Sequence, residues 1–178
     1  MKTNAKKIAM TAIIAAMYAA LTYAQGALLP GTTTAAIQFR ASEALNVLAL
    51  FTPYAIPGLT LGCFIANIQS IGQGLPLDMI FGTLATLGTA LCMWALRNAK
   101  IKSYPLWAML MPAIWNAVLV GAQIALFVDG VFDLSNFSLP LLLTVGGEVA
   151  LGELGVMLIL GTALYYAITK RKLHKKMF

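Results

Sequence analysis

Charged residues are scarce in this chain. Lys, Arg, Asp and Glu make up 10% of its 178 residues, whereas about a quarter of a typical soluble domain is charged. Hydrophobic residues make up 60% of the chain, and the mean hydropathy is +0.84. This composition excludes a soluble globular protein. It predicts an all-α polytopic membrane protein formed by a single membrane domain over residues 1–178.

The residues that most often carry catalysis or bind metals are also few. The single histidine, His174, lies in a basic tail. The two cysteines, Cys63 and Cys92, lie in apolar runs without CxxC or Cys/His spacing, so buried apolar positions are expected for both. The chain has no G-x-x-x-x-G-K-[ST] loop, which ATP hydrolysis would need. We therefore expect no enzyme activity, no cofactor and no metal site, and the +6 net charge comes without an aromatic-basic surface for nucleic acid.

Long apolar runs predict six transmembrane helices, since about 20 residues of helix cross the hydrocarbon core. The predicted spans are 8–24, 35–51, 54–71, 77–96, 104–128 and 139–169. The first is expected to be a span and not a cleaved leader. The stretch FTPYAIPG between the second and third spans predicts a tight turn. The last run is too long for one straight crossing, so a break is expected at Gly146–Gly147.

The basic residues orient these spans. Eleven of the twelve Lys and Arg residues fall in three clusters, which are Lys2/Lys6/Lys7, Arg97/Lys100/Lys102 and Lys170/Arg171/Lys172/Lys175/Lys176. Positively charged short loops mark the cytoplasmic side of a membrane. With six spans and both termini in the cytoplasm, all three clusters face inward. The six acidic residues then fall in the outer or middle part, at Glu43, Asp78, Asp129, Asp133, Glu148 and Glu153.

Polar residues within the spans converge toward the predicted outer end. The stretch IQFRASEALN places Arg40 and Glu43 three residues apart on one helical face. Charges at bilayer depth are costly and usually line a site or pathway. The other predicted members of a solute-binding cup are Asn67, Asp78, Asn116 and Glu148. Structural alternatives stay open, namely mutual neutralisation of Arg40 and Glu43, a helix–helix hydrogen bond for Asn67 and a helix cap for Asp78.

Small residues recur on the first span. Ala12, Ala16 and Ala20 are spaced by four residues, and Ala15 and Ala19 fill the adjacent ridge. Such faces let helix backbones approach closely in lipid. The pattern favours a docking strip for another membrane protein, and packing of the helix within its own bundle is the alternative.

Three stretches together resemble a known family. They are IQFRASEALNVLALFTPYAIPGLTLGCFIAN, LPLDMIFGTLATLGTAL and VGGEVALGELGV, and they resemble the QueT-type substrate-binding (S) components of energy-coupling-factor transporters. The resemblance implies a six-helix subunit of the bacterial plasma membrane that captures a vitamin-like solute outside. It also implies a transmembrane coupling protein (T component) and two cytoplasmic ATPases as partners. Family members dock through an AxxxA pattern on the first helix, which corresponds here to Ala12, Ala16 and Ala20.

The implied solute is a queuosine precursor such as 7-aminomethyl-7-deazaguanine, and it suits the predicted cup. Its adjacent N–H donors fit one carboxylate, Glu148 or Glu43, and its amine fits Asp78 or the other glutamate. Arg40 or Asn116 would serve the carbonyl. Two alternatives stay open: an S component for another solute, and a self-sufficient secondary transporter. The latter should show inverted repeats and midplane sites, and the chain has no internal repeat.

Overall fold

The computed structural model describes residues 2–30, 32, 39–72, 77–128, 131–132 and 138–172. Their regular structure is helical except for one small antiparallel ribbon. In chain order the elements are α1 (Lys2–Leu28), a 3₁₀ helix (Ala41–Leu50), α2 (Ala55–Ala66), α3 (Ile68–Gly72), α4 (Asp78–Ala95), a short 3₁₀ helix (Leu96–Asn98), α5 (Leu106–Leu126), β1 (Phe127–Val128), β2 (Val131–Phe132), α6 (Leu139–Val156), a π-helical segment (Met157–Gly161) and α7 (Thr162–Lys170).

Five described segments are long and apolar enough to cross a membrane. They are Asn4–Leu28, Ala55–Gly72, Asp78–Asn98, Leu106–Leu126 and Leu139–Lys170. They correspond to the first, third, fourth, fifth and sixth predicted spans. The predicted tight turn is confirmed, because the chain reverses over residues 51–54 before α2 begins at Ala55.

The second predicted span, 35–51, takes a different form. Its described part contains the 3₁₀ helix Ala41–Leu50, which has 10 residues and, at about 2.0 Å per residue, a length of about 20 Å. The hydrocarbon core is about 30 Å thick. Residues 33–38 lie outside the described part of the chain, so the count of six crossings stays a prediction.

The predicted break at Gly146–Gly147 is wrong. Helix α6 continues from Leu139 to Val156, and the irregularity comes later, at the π-helical segment Met157–Gly161. A Cβ on Gly146 would lie 2.7 Å from the carbonyl oxygen of Ala117 on α5. The glycine is therefore required for close approach of two helices and not for a bend.

The helices pack in an order that separates the molecule into two ends. Helix α1 packs on α2 and the long 3₁₀ helix, α4 packs between α2 and α5, and α5 packs on α6. Helix α1 runs parallel to α2, since Gly58 lies beside Ile14 and Gly62 beside Tyr18, and the end of α2 meets the start of α4 where Asn67 bonds Asp78. The contacts Gly88–Trp115 and Thr89–Met111 make α5 antiparallel to α4, and Gly121–Leu142 and Gly146–Ala117 make α6 antiparallel to α5. The start of α4 and the start of α6 therefore lie at the same end as the C-terminus of α1. We call this the polar end.

The described residues of the three basic clusters lie at the other end, which we call the basic end. There the loop before α5 is bonded to α7, because Tyr104 and Thr162 share a hydroxyl–hydroxyl hydrogen bond of 2.6 Å and the Tyr165 hydroxyl donates to the Ser103 carbonyl at 3.1 Å. The start of α1 meets the same end, where Thr11 donates to the Tyr54 carbonyl at 3.3 Å. Between the two ends the core is apolar.

Candidate functional site

Three predicted site residues form one network at the polar end. Arg40 donates from Nη1 to Asn67 Oδ1 at 2.9 Å, and its Nη2 lies 3.6 Å from Asp78 Oδ2. Asn67 Nδ2 donates to the main-chain oxygen of Asp78 at 3.0 Å, and Ser70 Oγ donates to Asp78 Oδ2 at 2.9 Å. All four side chains are buried.

Local structure explains why these residues meet. Arg40 is the N-cap of the long 3₁₀ helix, Asn67 is the C-cap of α2 and Asp78 opens α4. Three element ends therefore converge, and their side chains pair where main-chain hydrogen bonds of the helices run out. Gly82 makes room for the network, because a Cβ there would lie 2.6 Å from Asn67 Nδ2.

Glu43 lies deeper along the 3₁₀ helix and is bound on both oxygens. Oε1 accepts from the Tyr18 hydroxyl and Oε2 accepts from Asn46 Nδ2 at 2.6 Å. Residues three apart eclipse in a 3₁₀ helix, so Glu43 and Asn46 stack in one column, and Arg40 continues the same spacing. Arg40 and Glu43 attract each other electrostatically, while the ion-pair partner of Arg40 at 3.6 Å is Asp78.

Sequence reasoning missed two of these partners. Tyr18 is fully buried on α1, and a single tyrosine in an apolar run gives no signal that distinguishes it from core packing. Asn46 had a signal, because it follows Glu43 by three residues, a spacing that puts both side chains on one face of an α-helix or a 3₁₀ helix.

A third carboxylate, Glu153, approaches the same region from α6. The buried face of α6 includes Val149, Gly152, Glu153 and Val156, the i, i+3, i+4, i+7 pattern of one helix side. Glu153 is 2% exposed, and α6 packs against the long 3₁₀ helix that carries Glu43. A Cβ on Gly155 would lie 3.4 Å from the ring of Phe39, which places this part of α6 beside the residue preceding Arg40.

The other two predicted contacts stand apart from this network within the described ranges. Glu148 precedes Glu153 by five positions, about 140° around the helix axis. It is half-buried and has no hydrogen bond or ion pair to any described residue. Asn116 is buried, and its Nδ2 donates to the Pro112 carbonyl of its own helix at 3.0 Å.

Three buried acceptor atoms have no hydrogen-bond partner among the described residues. They are Asn46 Oδ1, Gln123 Oε1 and Glu153 Oε2. Buried polar atoms are nearly always hydrogen-bonded in proteins, so these atoms are candidate acceptors for a ligand with N–H donors. We define the polar cluster as Arg40, Glu43, Asn46, Asn67, Asp78 and Glu153. With one guanidinium and three carboxyl groups, it is suited to a neutral or cationic ligand more than to an anion.

A cavity of about 310 Å³ lies at the opposite end of the molecule. It is lined by residues that include Trp94, Arg97, Lys100 and Tyr165. The Arg97 guanidinium stacks 3.8 Å above the Trp94 ring. This cavity belongs to the basic end and is separate from the predicted cup. No group of three or more His, Cys, Asp or Glu side chains suited to a metal occurs in the part of the chain that the structure describes.

The two alanine ridges of α1 face different ways. Ala15 and Ala19 are buried, and a Cβ on Gly62 of α2 would lie 2.8 Å from the Ala15 carbonyl. The predicted docking residues are exposed, namely Ala12, Ala16 and Ala20. The α1 span is 28% buried, against 39–44% for the other four. Internal packing thus accounts for one ridge and leaves the other on the surface.

Several residues singled out in the sequence lie outside the described part of the chain. These are the acidic residues Asp129 and Asp133 and the tail residues His174, Lys175 and Lys176.

Comparisons with known proteins identify the family. The sequence model of the QueT transporter family matches residues 8–170. The chain is 40% identical over 86 residues to the queuosine precursor transporter QueT of Lactococcus lactis subsp. cremoris (strain MG1363). That alignment spans 48% of this chain and 48% of the relative's length. No solved structure matches the chain. The match over most of its length, together with its apolar helices, shows that this membrane protein belongs to the QueT transporter family.

Proposed function

We propose that this chain is the solute-capturing membrane subunit of an energy-coupling-factor importer, and that its solute is a queuosine precursor of the 7-deazaguanine type. The observation that carries the proposal is the buried polar cluster, which extends from the polar end, at Arg40, Asn67 and Asp78, inward to Glu43 and Glu153. Family membership and the name of the Lactococcus relative support transport of such a solute.

The chemistry of the cluster suits a 7-deazaguanine. The base offers adjacent N–H donors and a carbonyl oxygen, so it needs a carboxylate for the donors and a cation or amide for the carbonyl. Glu43 would supply the carboxylate, because each of its oxygens accepts one hydrogen bond and keeps a second lone pair. Arg40, held by Asp78 and Asn67, would supply the guanidinium. Asn116 and Glu148 would reach the solute from α5 and α6. A site that hydrogen-bonds every edge of its ligand strongly rejects analogues that lack one.

Energy and orientation complete the proposal. The chain has no phosphate-binding loop of its own, so a T component and two cytoplasmic ATPases would drive transport across the plasma membrane. In this arrangement the chain crosses the membrane six times, with both termini and the basic end in the cytoplasm and the polar cluster toward the outside. The exposed strip of Ala12, Ala16 and Ala20 would dock on the T component.

Calorimetry on the purified chain in detergent tests the solute. We expect 7-aminomethyl-7-deazaguanine to bind with submicromolar affinity. Arg40→Gln should weaken binding by about ten-fold or more, because a charged hydrogen bond contributes about 1.5–3 kcal/mol. Arg97→Gln is the matched control, since Arg97 lies at the basic end. Absence of binding to the wild-type chain would refute the proposed solute, and binding of a different vitamin would make the chain an S component of another kind.

Co-purification tests the partner. Ala16→Leu adds bulk to the exposed strip and should abolish recovery of a co-expressed T component while leaving solute binding intact. Ala95→Leu, which enlarges an exposed alanine on α4, is the control and should retain the partner. If Ala16→Leu keeps the T component bound, the docking role of the strip is wrong.

A further inference from the structure

Among the described carboxylates, Glu153 is the one with a fully buried oxygen that has no hydrogen-bond partner. Asp78 Oδ2 accepts a hydrogen bond from the Ser70 hydroxyl and lies 3.6 Å from Arg40 Nη2. Both oxygens of Glu43 accept hydrogen bonds. Glu153 is as deeply buried, at 2% exposure, yet its Oε2 has no partner among the described residues. Burying a carboxylate is costly unless it is paired. If Glu153 lies at a solute site, its desolvation cost is offset when the bound solute supplies the missing partner.

The neighbouring charges indicate the sign of the missing partner. Glu153 lies on the buried face of α6, and α6 packs against the long 3₁₀ helix that carries Glu43 and has Arg40 as its N-cap. The polar cluster, which includes Glu153, has three carboxyl groups and one guanidinium, and that guanidinium already pairs with Asp78 and Asn67. Asn46, which is bonded to Glu43, adds a second unpartnered acceptor, Oδ1. An ammonium group is a donor with no acceptor, so it can pair with these acceptors, whereas an anion cannot.

The backbone beside Glu153 is also irregular. The π-helical segment begins at Met157, one turn after Glu153, and π-helical turns inside α-helices occur frequently at functional sites. In this segment Met157 is fully buried. A Cβ added to Gly161 would lie 3.5 Å from the Val47 side chain of the long 3₁₀ helix. Glu153 is thus carried on a helix fitted closely against the column that holds Glu43.

From this placement we infer that Glu153 receives the positively charged amine of the solute and sets a preference for amine-bearing over neutral 7-deazaguanines. The inference rests on the proposed function and deepens it. It also differs from the sequence prediction, which assigned carboxylate roles to Glu43, Asp78 and Glu148 and none to Glu153.

A pair of ligands that differ in the amine tests the assignment. The probes are 7-aminomethyl-7-deazaguanine and its neutral nitrile relative, 7-cyano-7-deazaguanine, titrated into the purified full-length chain. The wild-type chain should bind the amine more tightly. Glu153→Gln should lower the affinity for the amine by about ten-fold or more, the change expected for loss of a charged hydrogen bond, and leave the affinity for the nitrile unchanged. Binding of the nitrile by the variant shows that the site is still folded.

The outcomes separate this inference from the function on which it rests. If the wild-type chain binds neither compound, the proposed function is overturned and the inference with it. If the wild-type chain binds both and Glu153→Gln weakens both equally, the residue only maintains the fold and the inference is overturned. The same result follows if Glu148→Gln, and not Glu153→Gln, removes the preference for the amine.

Discussion

The two ends of this molecule treat charge in opposite ways. At the polar end Arg40, Glu43 and Asp78 are 5%, 2% and 4% exposed, and each is hydrogen-bonded or ion-paired. At the basic end Lys100 and Lys102 are exposed, and no ion pair of 4 Å or less holds them within the described ranges. Charged side chains are therefore buried and paired at one end of the chain and exposed without an ion pair at the other.

The energetics of burial explain the difference. Exposed lysines keep their hydration and cost little, and in short loops they help to fix membrane orientation. Burial costs an ion roughly several kcal/mol of hydration free energy, and only well-placed partners offset that loss. Apolar residues would stabilise the polar end at least as well. The retention of buried charges there favours ligand binding over stability as their role.

The largest loss of stability is expected when one partner of a buried ion pair is removed. Asp78→Ala deletes the carboxylate that faces Arg40 at 3.6 Å and accepts from Ser70. We expect the free energy of unfolding to fall by about 3–5 kcal/mol, the usual cost of breaking a buried pair. Denaturant unfolding in detergent micelles, followed by tryptophan fluorescence, measures the change.

The basic end provides the control for that measurement. Lys102→Ala should alter the free energy of unfolding by less than about 0.5 kcal/mol, as expected for an exposed side chain without partners. Equal effects of Asp78→Ala and Lys102→Ala would show that the buried network does not stabilise the polar end.

A smaller effect is expected from crowding the network. Gly82→Ala would place a Cβ 2.6 Å from Asn67 Nδ2 and displace the amide that bonds Arg40 and the main chain of Asp78. We expect a loss of about 1–3 kcal/mol in stability, typical of overpacking, together with weaker solute binding.

Gly147 is the matched glycine for this experiment. Nothing lies within 4 Å of a Cβ added to Gly147 of α6, so Gly147→Ala should be neutral or stabilising by up to about 1 kcal/mol through helix propensity. If both alanine variants are equally stable, the Asn67 amide is not tightly held, and the network is looser than its hydrogen bonds indicate.

Much of the helical architecture could be predicted, because apolar runs of spanning length have few alternatives in a membrane. The structure places helices over the third, fourth and fifth predicted spans and carries the last run through to Lys170. The wrong break and the unexpected type of the second helix share a cause. Gly146 serves close packing against Ala117, and residues 41–50 adopt a 3₁₀ helix, and both depend on tertiary contacts that local patterns do not contain.

The candidate site was predictable to a similar extent. Polarity inside apolar runs was enough to single out Arg40, Glu43, Asn67 and Asp78, which the structure brings into contact or close approach. Whether they bind solute stays a prediction. The choice between Glu148 and Glu153 required the rotation of α6, because both are isolated carboxylates in one apolar helix. Only packing shows that Glu153 faces inward.

Cysteine labelling at the two ends can determine which end faces the cytoplasm without changing the fold. Ala99→Cys places a thiol in the exposed loop of the basic end, and Leu29→Cys places one beyond α1 at the polar end, where Leu29 is 57% exposed. A membrane-impermeant maleimide should label the Leu29→Cys chain in intact cells and the Ala99→Cys chain only after permeabilisation. The wild-type chain sets the background, because Cys63 and Cys92 lie within spans. The reverse labelling pattern would put the basic end outside, contrary to the positive-inside rule, and the polar cluster could not then capture a solute from outside.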